Sequence, residues 1–188
     1  MQSVWKTSLR FTLITAVLLG IGYPLLVTGL ASVLFPHQAA GSLILKDGQI
    51  IGSELLAQSF ISDRYFHPRP SAAGAGYDAT ASGGSNLAPS NKALVDRIQG
   101  DINKLAKENS GQPVPIDLVT TSGSGLDPDV TPEAAGFQAA RVAKARGVSE
   151  ELLHKLIASH ITGRQFKLLG EPRVNVLALN LDLDQLAR

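Results

Sequence analysis

The sequence contains no cysteine. Disulfides, thiolate nucleophiles, cysteine-ligated metals and lipid attachment through a thiol are therefore excluded. Any part of the chain outside the cytoplasm must fold without covalent staples. An excess of charge is missing too. The 188 residues carry a net charge of +1, with no cluster of Lys and Arg to track a phosphate backbone, so nucleic acid is excluded as a partner. Histidine is sparse and scattered at His37, His67, His154 and His160. The last two stand six apart, on different faces of a helix, which argues against a shared zinc and leaves no metal site to expect.

What is present in quantity is apolar sequence near the N-terminus. Phe11 to Phe35 is a run of 25 residues without a charge. At about 1.5 Å per residue, roughly 20 apolar residues cross the hydrocarbon core, so the run is long enough to span. Gly29-Leu30-Ala31 offers a small-x-small cleavage pattern, but the run exceeds the usual length of a signal-peptide core, and a retained helix is the better reading. Lys6 and Arg10 precede it and no Lys or Arg follows before Lys46. By the positive-inside tendency, residues 1–36 form a short cytoplasmic N-terminus and a single transmembrane helix, and 37–188 an extracytoplasmic domain. Thr12, Ala16, Gly20, Pro24, Thr28 and Ser32 recur every four residues along the span. Such a stripe of small residues lets partner helices approach closely, and Pro24, which removes a hydrogen bond, should kink the helix near its middle.

Past Pro36, 15 basic residues face 16 acidic ones. Leu43 to Ile51 reads as a hairpin turning at Asp47-Gly48, followed by a short helix at 53–57. Residues 62–90 are rich in Gly, Ala, Ser, Pro and Asn, yet Tyr65, Phe66 and Tyr77 give the segment something to bury. We expect an ordered surface loop. A helix over 91–108, capped by Ser90 and stopped by Asn109-Ser110-Gly111, precedes a short strand at 114–120. Thr131-Pro132-Glu133 starts a helix ending at Gly147, and Ser149 caps another ending near Gly163. Phe166–Leu169 and Val174–Leu181 read as strands. The fold class is α/β, α+β in character: a small mixed sheet, including the hairpin, covered by helices.

The stretch VTTSGSGLDPDVTPEAA, Val119 to Ala135, invites three readings. Strand, glycines and helix start come in the order of a phosphate cradle. However, no lysine lies between Lys107 and Lys144, and Asp127 and Asp129 repel phosphate. Ser122 or Ser124 would serve a membrane-anchored exported hydrolase, but the nucleophile elbow Gly-x-Ser-x-Gly is not met by Gly123-Ser124-Gly125. The third reading is a shaped turn whose glycines supply unusual φ, in a chain that acts as a binding module.

Four stretches together resemble the C-subunit family of the Kdp-type ATP-driven potassium transporters, bacterial P-type ATPase complexes. They are the span with Tyr23-Pro24, RYFHPRPSAAGAGYDATASGGSNLAPSN, VTTSGSGLDPDVTPEAA, and GRQFKLLGEPRVNVLALNLDLD. The resemblance implies a non-catalytic accessory subunit in the inner membrane. Its partners would be a channel-like subunit that passes potassium and a P-type subunit that hydrolyses ATP, with a small single-span subunit as a further candidate. It implies a catalytic chaperone that raises the nucleotide affinity of the ATPase subunit. ATP is suggested by the resemblance alone. The chain lacks the Asp-Lys-Thr-Gly phosphorylation motif, and Ser82-Gly83-Gly84-Ser85 only partly echoes a transporter Ser-Gly-Gly-Gln signature. Candidate ligand or partner contacts are Tyr77, Ser82, Gly83 and Gly84 in one loop and Ser122, Gly123, Ser124, Gly125 and Asp127 in the other.

Overall fold

An uncharged run gives its backbone no polar partner but itself, and the N-terminal segment folds as one continuous helix, Val4–Leu34. The computed structural model describes residues 3–109 and 111–186, in two units that meet between Ile51 and Gly52. In the first, α1 (Val4–Val17) passes through a π-helical turn (Leu18–Gly22) into α2 (Tyr23–Leu34). The turn has a physical cause. Pro24 has no N–H to donate to the Gly20 carbonyl, and just before it the Tyr23 N–H reaches back five residues to Leu18 O. At the place where the sequence predicts a kink, the helix runs on through this π turn. The Thr15 and Ser32 hydroxyls donate to the carbonyls of Phe11 and Thr28, each at 2.8 Å, so each finds its partner within the apolar helix. The small-residue stripe lies on this helix. A short helix α3 (Pro36–Ala39) then leads to the hairpin β1 (Leu43–Lys46) and β2 (Gln49–Ser53). Asp47 at φ 53° and Gly48 at φ 78° make the turn the sequence predicts.

The second unit is built around two helices. α5 (Pro132–Arg146) is capped by Thr131, whose hydroxyl accepts from Ala134 N, and ends on Gly147 in the left-handed region at φ 72°. Its alanines let neighbours approach, and Ala134, Ala135, Phe137, Ala139, Val142 and Ala143 are all buried. α6 (Glu150–Ser159), capped by Ser149, adds Leu153 and Ile157. A three-stranded antiparallel sheet, ordered β3 (Asp129–Val130), β5 (Arg173–Asn175), β4 (Ile161–Thr162), contributes Val130 and Val174. α7 (Val176–Leu186) contributes Val176, Leu179 and Leu183. Phe66, from the long loop, is completely buried in the same cluster.

Several expectations need correction. The hairpin forms its own two-stranded sheet, and the larger sheet is antiparallel rather than mixed. Residues 53–57 make a turn in which the Ser53 hydroxyl accepts from Leu55 N. The helix α4 (Lys92–Glu108) is capped by Asn91, whose side chain accepts from Ala93 N, not by Ser90. It ends at Asn109; Ser110 lies outside the described residues. Residues 114–120 hold a single 3-10 turn, Ile116–Leu118, because Pro115 starts it and Thr120 Oγ1 returns to Ile116 O at 2.8 Å. The second helix stops at Ser159, before β4. Phe166–Leu169 is a turn closed by a Gln165–Leu169 bridge. The strand expected over 174–181 ends at Asn175. There the side-chain oxygen accepts from Ala178 N at 3.0 Å and starts α7.

Candidate functional site

Residues 54–91 contain neither helix nor strand, so their backbone must find partners elsewhere. Two buried side-chain amides supply them. Asn180 on α7 accepts from Phe66 N and donates to Phe66 O, both at 2.9 Å. Gln138 on α5 accepts from His67 N at 2.8 Å and donates to His67 O at 3.1 Å. Each amide thus pairs with one residue of the loop as a neighbouring strand would. Both are only 2 % exposed, and in that dry setting the bonds carry more weight than at the surface. Arg141 extends the clasp, donating to the carbonyls of Asp63 (2.8 Å) and Tyr65 (3.1 Å) and to Gln138 Oε1 (2.8 Å). Its Nε lies 3.1 Å from Glu108 Oε2, a contact of charges without a hydrogen bond's alignment. Arg146 donates to Arg64 O and Asp184, and its guanidinium stacks 4.8 Å over the Tyr65 ring.

Beyond this clasp the long loop meets the glycine loop. Ser71 donates to Gly125 O at 2.6 Å and accepts from the backbone N–H groups of Ala73 and Tyr77. Tyr77, itself at φ 56°, donates its hydroxyl to Arg69 O at 2.8 Å, and burial raises that phenol's pKa. Gly83 N and the Ser82 hydroxyl both donate to Ser124 O, at 2.8 and 3.0 Å. Gly125 is at φ 67°, and a Cβ there would stand 2.5 Å from Gly83 O and 2.7 Å from Ala73 N. At Gly84 a Cβ would meet Gly123 O at 3.1 Å. The two sets of candidate residues are therefore one structure. Ser82, Gly83 and Gly84 interlock directly with Ser122, Gly123, Ser124 and Gly125, while Tyr77 and Asp127 join through Ser71 and Arg69.

This geometry bears on the chemical readings. Four donors of the kind a phosphate would need are already used: Gly83 N on Ser124 O, Gly125 N on Ser122 O, Leu126 N on Ser124 Oγ, and Asp129 N on Asp127 Oδ1. With no lysine in the loop, these residues do not fit a nucleotide phosphate. Ser122 and Ser124 face each other at 3.3 Å, and no histidine bonds to either hydroxyl among the described residues. His160 instead engages Asp182 at 3.1 Å and Leu156 O at 2.9 Å. Asp127 is paired with Arg69 (3.2 Å) and Asp129 with Arg173 (2.8 Å). Burial raises the Asp129 carboxyl despite Arg173. Neither aspartate presents uncompensated charge.

Similarity to known proteins covers both the helix and the domain. Residues 5–185 match the family described as KdpC, the c chain of the K+-transporting ATPase. The chain belongs to the KdpC family. It is similar to the potassium-transporting ATPase KdpC subunits of Koribacter versatilis, 57 % identical over 95 % of this chain and 92 % of that one, and of Acidobacterium capsulatum, 58 % identical over 96 % and 97 %. A third, from Methylobacterium nodulans, is 55 % identical over 95 % and 97 %. The KdpC match therefore contains the interlocked loops and the clasp. Sequence reasoning singled out neither the clasp residues Asn180, Gln138 and Arg141 nor Arg69 and Ser71 in the loop contact. A signal existed for Asn180, a lone amide at an apolar position of the helical period Val176, Leu179, Leu183.

Proposed function

We propose that this KdpC-family chain is the accessory, non-catalytic subunit of an ATP-driven potassium uptake complex. It is held in the bacterial inner membrane by one helix with its N-terminus cytoplasmic and its domain extracytoplasmic. The channel-like and P-type subunits of the same complex are its partners, and hydrolysis is carried out by the latter. The observation that carries this reading is the interlock. A loop pair that spends the N–H groups of Gly83, Gly125, Leu126 and Asp129 on its own oxygens holds a shape suited to contact rather than to binding nucleotide or attacking an acyl group. Lys6 and Arg10 before the span, with no cation after it until Lys46, support the orientation.

We further propose a catalytic-chaperone role, in which ATP affinity of the P-type subunit rises when this subunit is present. With the domain across the membrane from cytosolic ATP, such an effect acts by biasing the conformations of the partners. The test is reconstitution of the ATPase complex with and without this chain. The apparent KM for ATP is expected to rise when the chain is omitted, and to recover on adding it back. An unchanged KM with normal assembly removes the chaperone role. Single cysteines placed at 124 and at 6 in this cysteine-free chain check the orientation with an impermeant thiol reagent; labelling of 6 but not 124 in sealed right-side-out cells reverses it.

A further inference from the structure

The β4–β5 hairpin extends into a tip that the sheet does not require. Beyond the paired residues Thr162 and Arg173, the chain closes again at Gln165 and Leu169, which bond to each other in both directions at 2.9 Å. Between them Phe166 is 92 % exposed and Leu168 78 %, and Leu169 beside them is 56 % exposed. Phe166 and Lys167 both sit in the left-handed region, at φ 52° and 61°. For two consecutive non-glycine residues this is a strained choice, kept only where the surrounding bonds impose it. Lys167 N donates to Arg164 O at 3.1 Å and Leu168 N to Gln165 O at 3.0 Å, so the bonds that impose it are visible. Of the nearby cations, Arg164 is paired with Glu171 and Arg173 with Asp129. Lys167 has no ion pair among the described residues.

From this we infer that the Phe166–Leu169 tip is a preformed knob that seats in an apolar, acid-rimmed socket on another subunit of the same potassium-transporting ATPase. Three observations select that occupant. The family is one chain of a multi-subunit ATPase, so a partner surface exists. The tip's backbone is fixed at the expense of local strain, which aids docking into a matching shape by removing ordering cost; a fluid bilayer demands no such shape. The exposed aromatic is flanked by leucines and one uncompensated cation, the makeup of an interface hot spot that needs an opposite charge at its rim. The inference rests on the accessory-subunit reading and specifies one of its docking surfaces.

The test uses the whole complex. A benzophenone-bearing phenylalanine replaces Phe166, the assembled ATPase is purified, irradiated, and its adducts mapped by mass spectrometry. The expected result is a covalent adduct with another subunit at an apolar site near Asp or Glu. Its yield should fall about tenfold on adding Lys167→Glu. Thermal melting of the variant chain reports folding, and an unchanged melt assigns the loss to the interface. Adducts to lipid alone, or a tip that remains open to an aqueous quencher in a complex that otherwise assembles, overturn the inference while leaving the accessory role intact. A chain that does not co-purify with the other subunits overturns both.

Discussion

Asn180 and Phe66, separated by 114 residues in sequence, exchange two hydrogen bonds of 2.9 Å in a site where the amide is 2 % exposed and the phenyl ring is fully buried. The pair explains how a segment without secondary structure becomes part of the core. Its backbone borrows the pairing of a strand from a side chain, and its ring then fills the cluster around α5 and α7.

Replacing Asn180 with Leu preserves volume but leaves the Phe66 N–H and C=O buried without partners. The expected loss is about 2–4 kcal/mol, since two buried polar groups are stranded. Urea unfolding of the detergent-solubilised chain measures it. A loss under about 0.5 kcal/mol, the size of an ordinary surface change, would show that the loop is held by the ring alone.

Glycines 123 and 125 make a matched pair of tests within one turn. At Gly125 a methyl group collides with two backbone atoms of the facing loop and φ is positive; at Gly123 nothing lies within 4 Å and φ is ordinary. Gly125→Ala should therefore cost roughly 2–4 kcal/mol, combining left-handed strain with overpacking. Gly123→Ala should be near neutral. Equal effects in a denaturation series would contradict the interlock. Limited proteolysis adds a second readout, because only the Gly125 variant should expose residues 71–84 to cleavage.

His67 gives the domain a pH dependence with a defined sign. Burial, then the charge of Arg141, holds the imidazole below its ordinary 6.5, against the opposing pull of the Ser62 carbonyl, Glu108 and Asp63. The unfolded chain therefore takes up the proton first as pH falls. Above pH 6.5 both states are neutral and stability is complete; below it stability declines until the folded-state value is passed. The urea midpoint should drop between pH 7.5 and 5.5, and His67→Gln should flatten the drop while keeping a donor for the Ser62 carbonyl, 3.1 Å from Nε2. Asp129, raised from 3.8 chiefly by burial, acts in the opposite sense.

The parts of the fold governed by local chemistry were legible in the sequence. Thr131-Pro132 and Ser149 start α5 and α6, Gly147 ends α5, and Asp47-Gly48 turns the hairpin, each through atoms within a few residues. The C-terminal segment misled because valine, leucine and asparagine alternate there as in a half-buried strand. The decisive signal was a single cap, Asn175, which converts the alternation into the helical set Val176, Leu179, Asn180 and Leu183. Both glycine-bearing stretches were recognised as special, but their meeting was not. Ser71 with Gly125 and Gly83 with Ser124 lie 54 and 41 positions apart, and no periodicity encodes such a pairing.

In the span, Gly20 separates the needs of the chain from those of its partners. It lies in the π turn, and a Cβ placed there meets nothing within 4 Å. Leucine at this position therefore meets no side chain at its Cβ and replaces a residue unfavourable to a helix with a good helix former. If the stripe of Thr12, Ala16, Gly20, Pro24, Thr28 and Ser32 packs against partner helices, the same leucine separates two backbones that must approach closely. Gly20→Leu should leave expression, membrane insertion and domain melting unchanged while reducing co-purification with the other ATPase subunits about tenfold or more in detergent, equivalent to about 1.4 kcal/mol. Gly29→Leu, with nothing within 4 Å of its Cβ and off the stripe, serves as the control. Full recovery of the complex with leucine at 20 would place the partner contacts on another face of the helix.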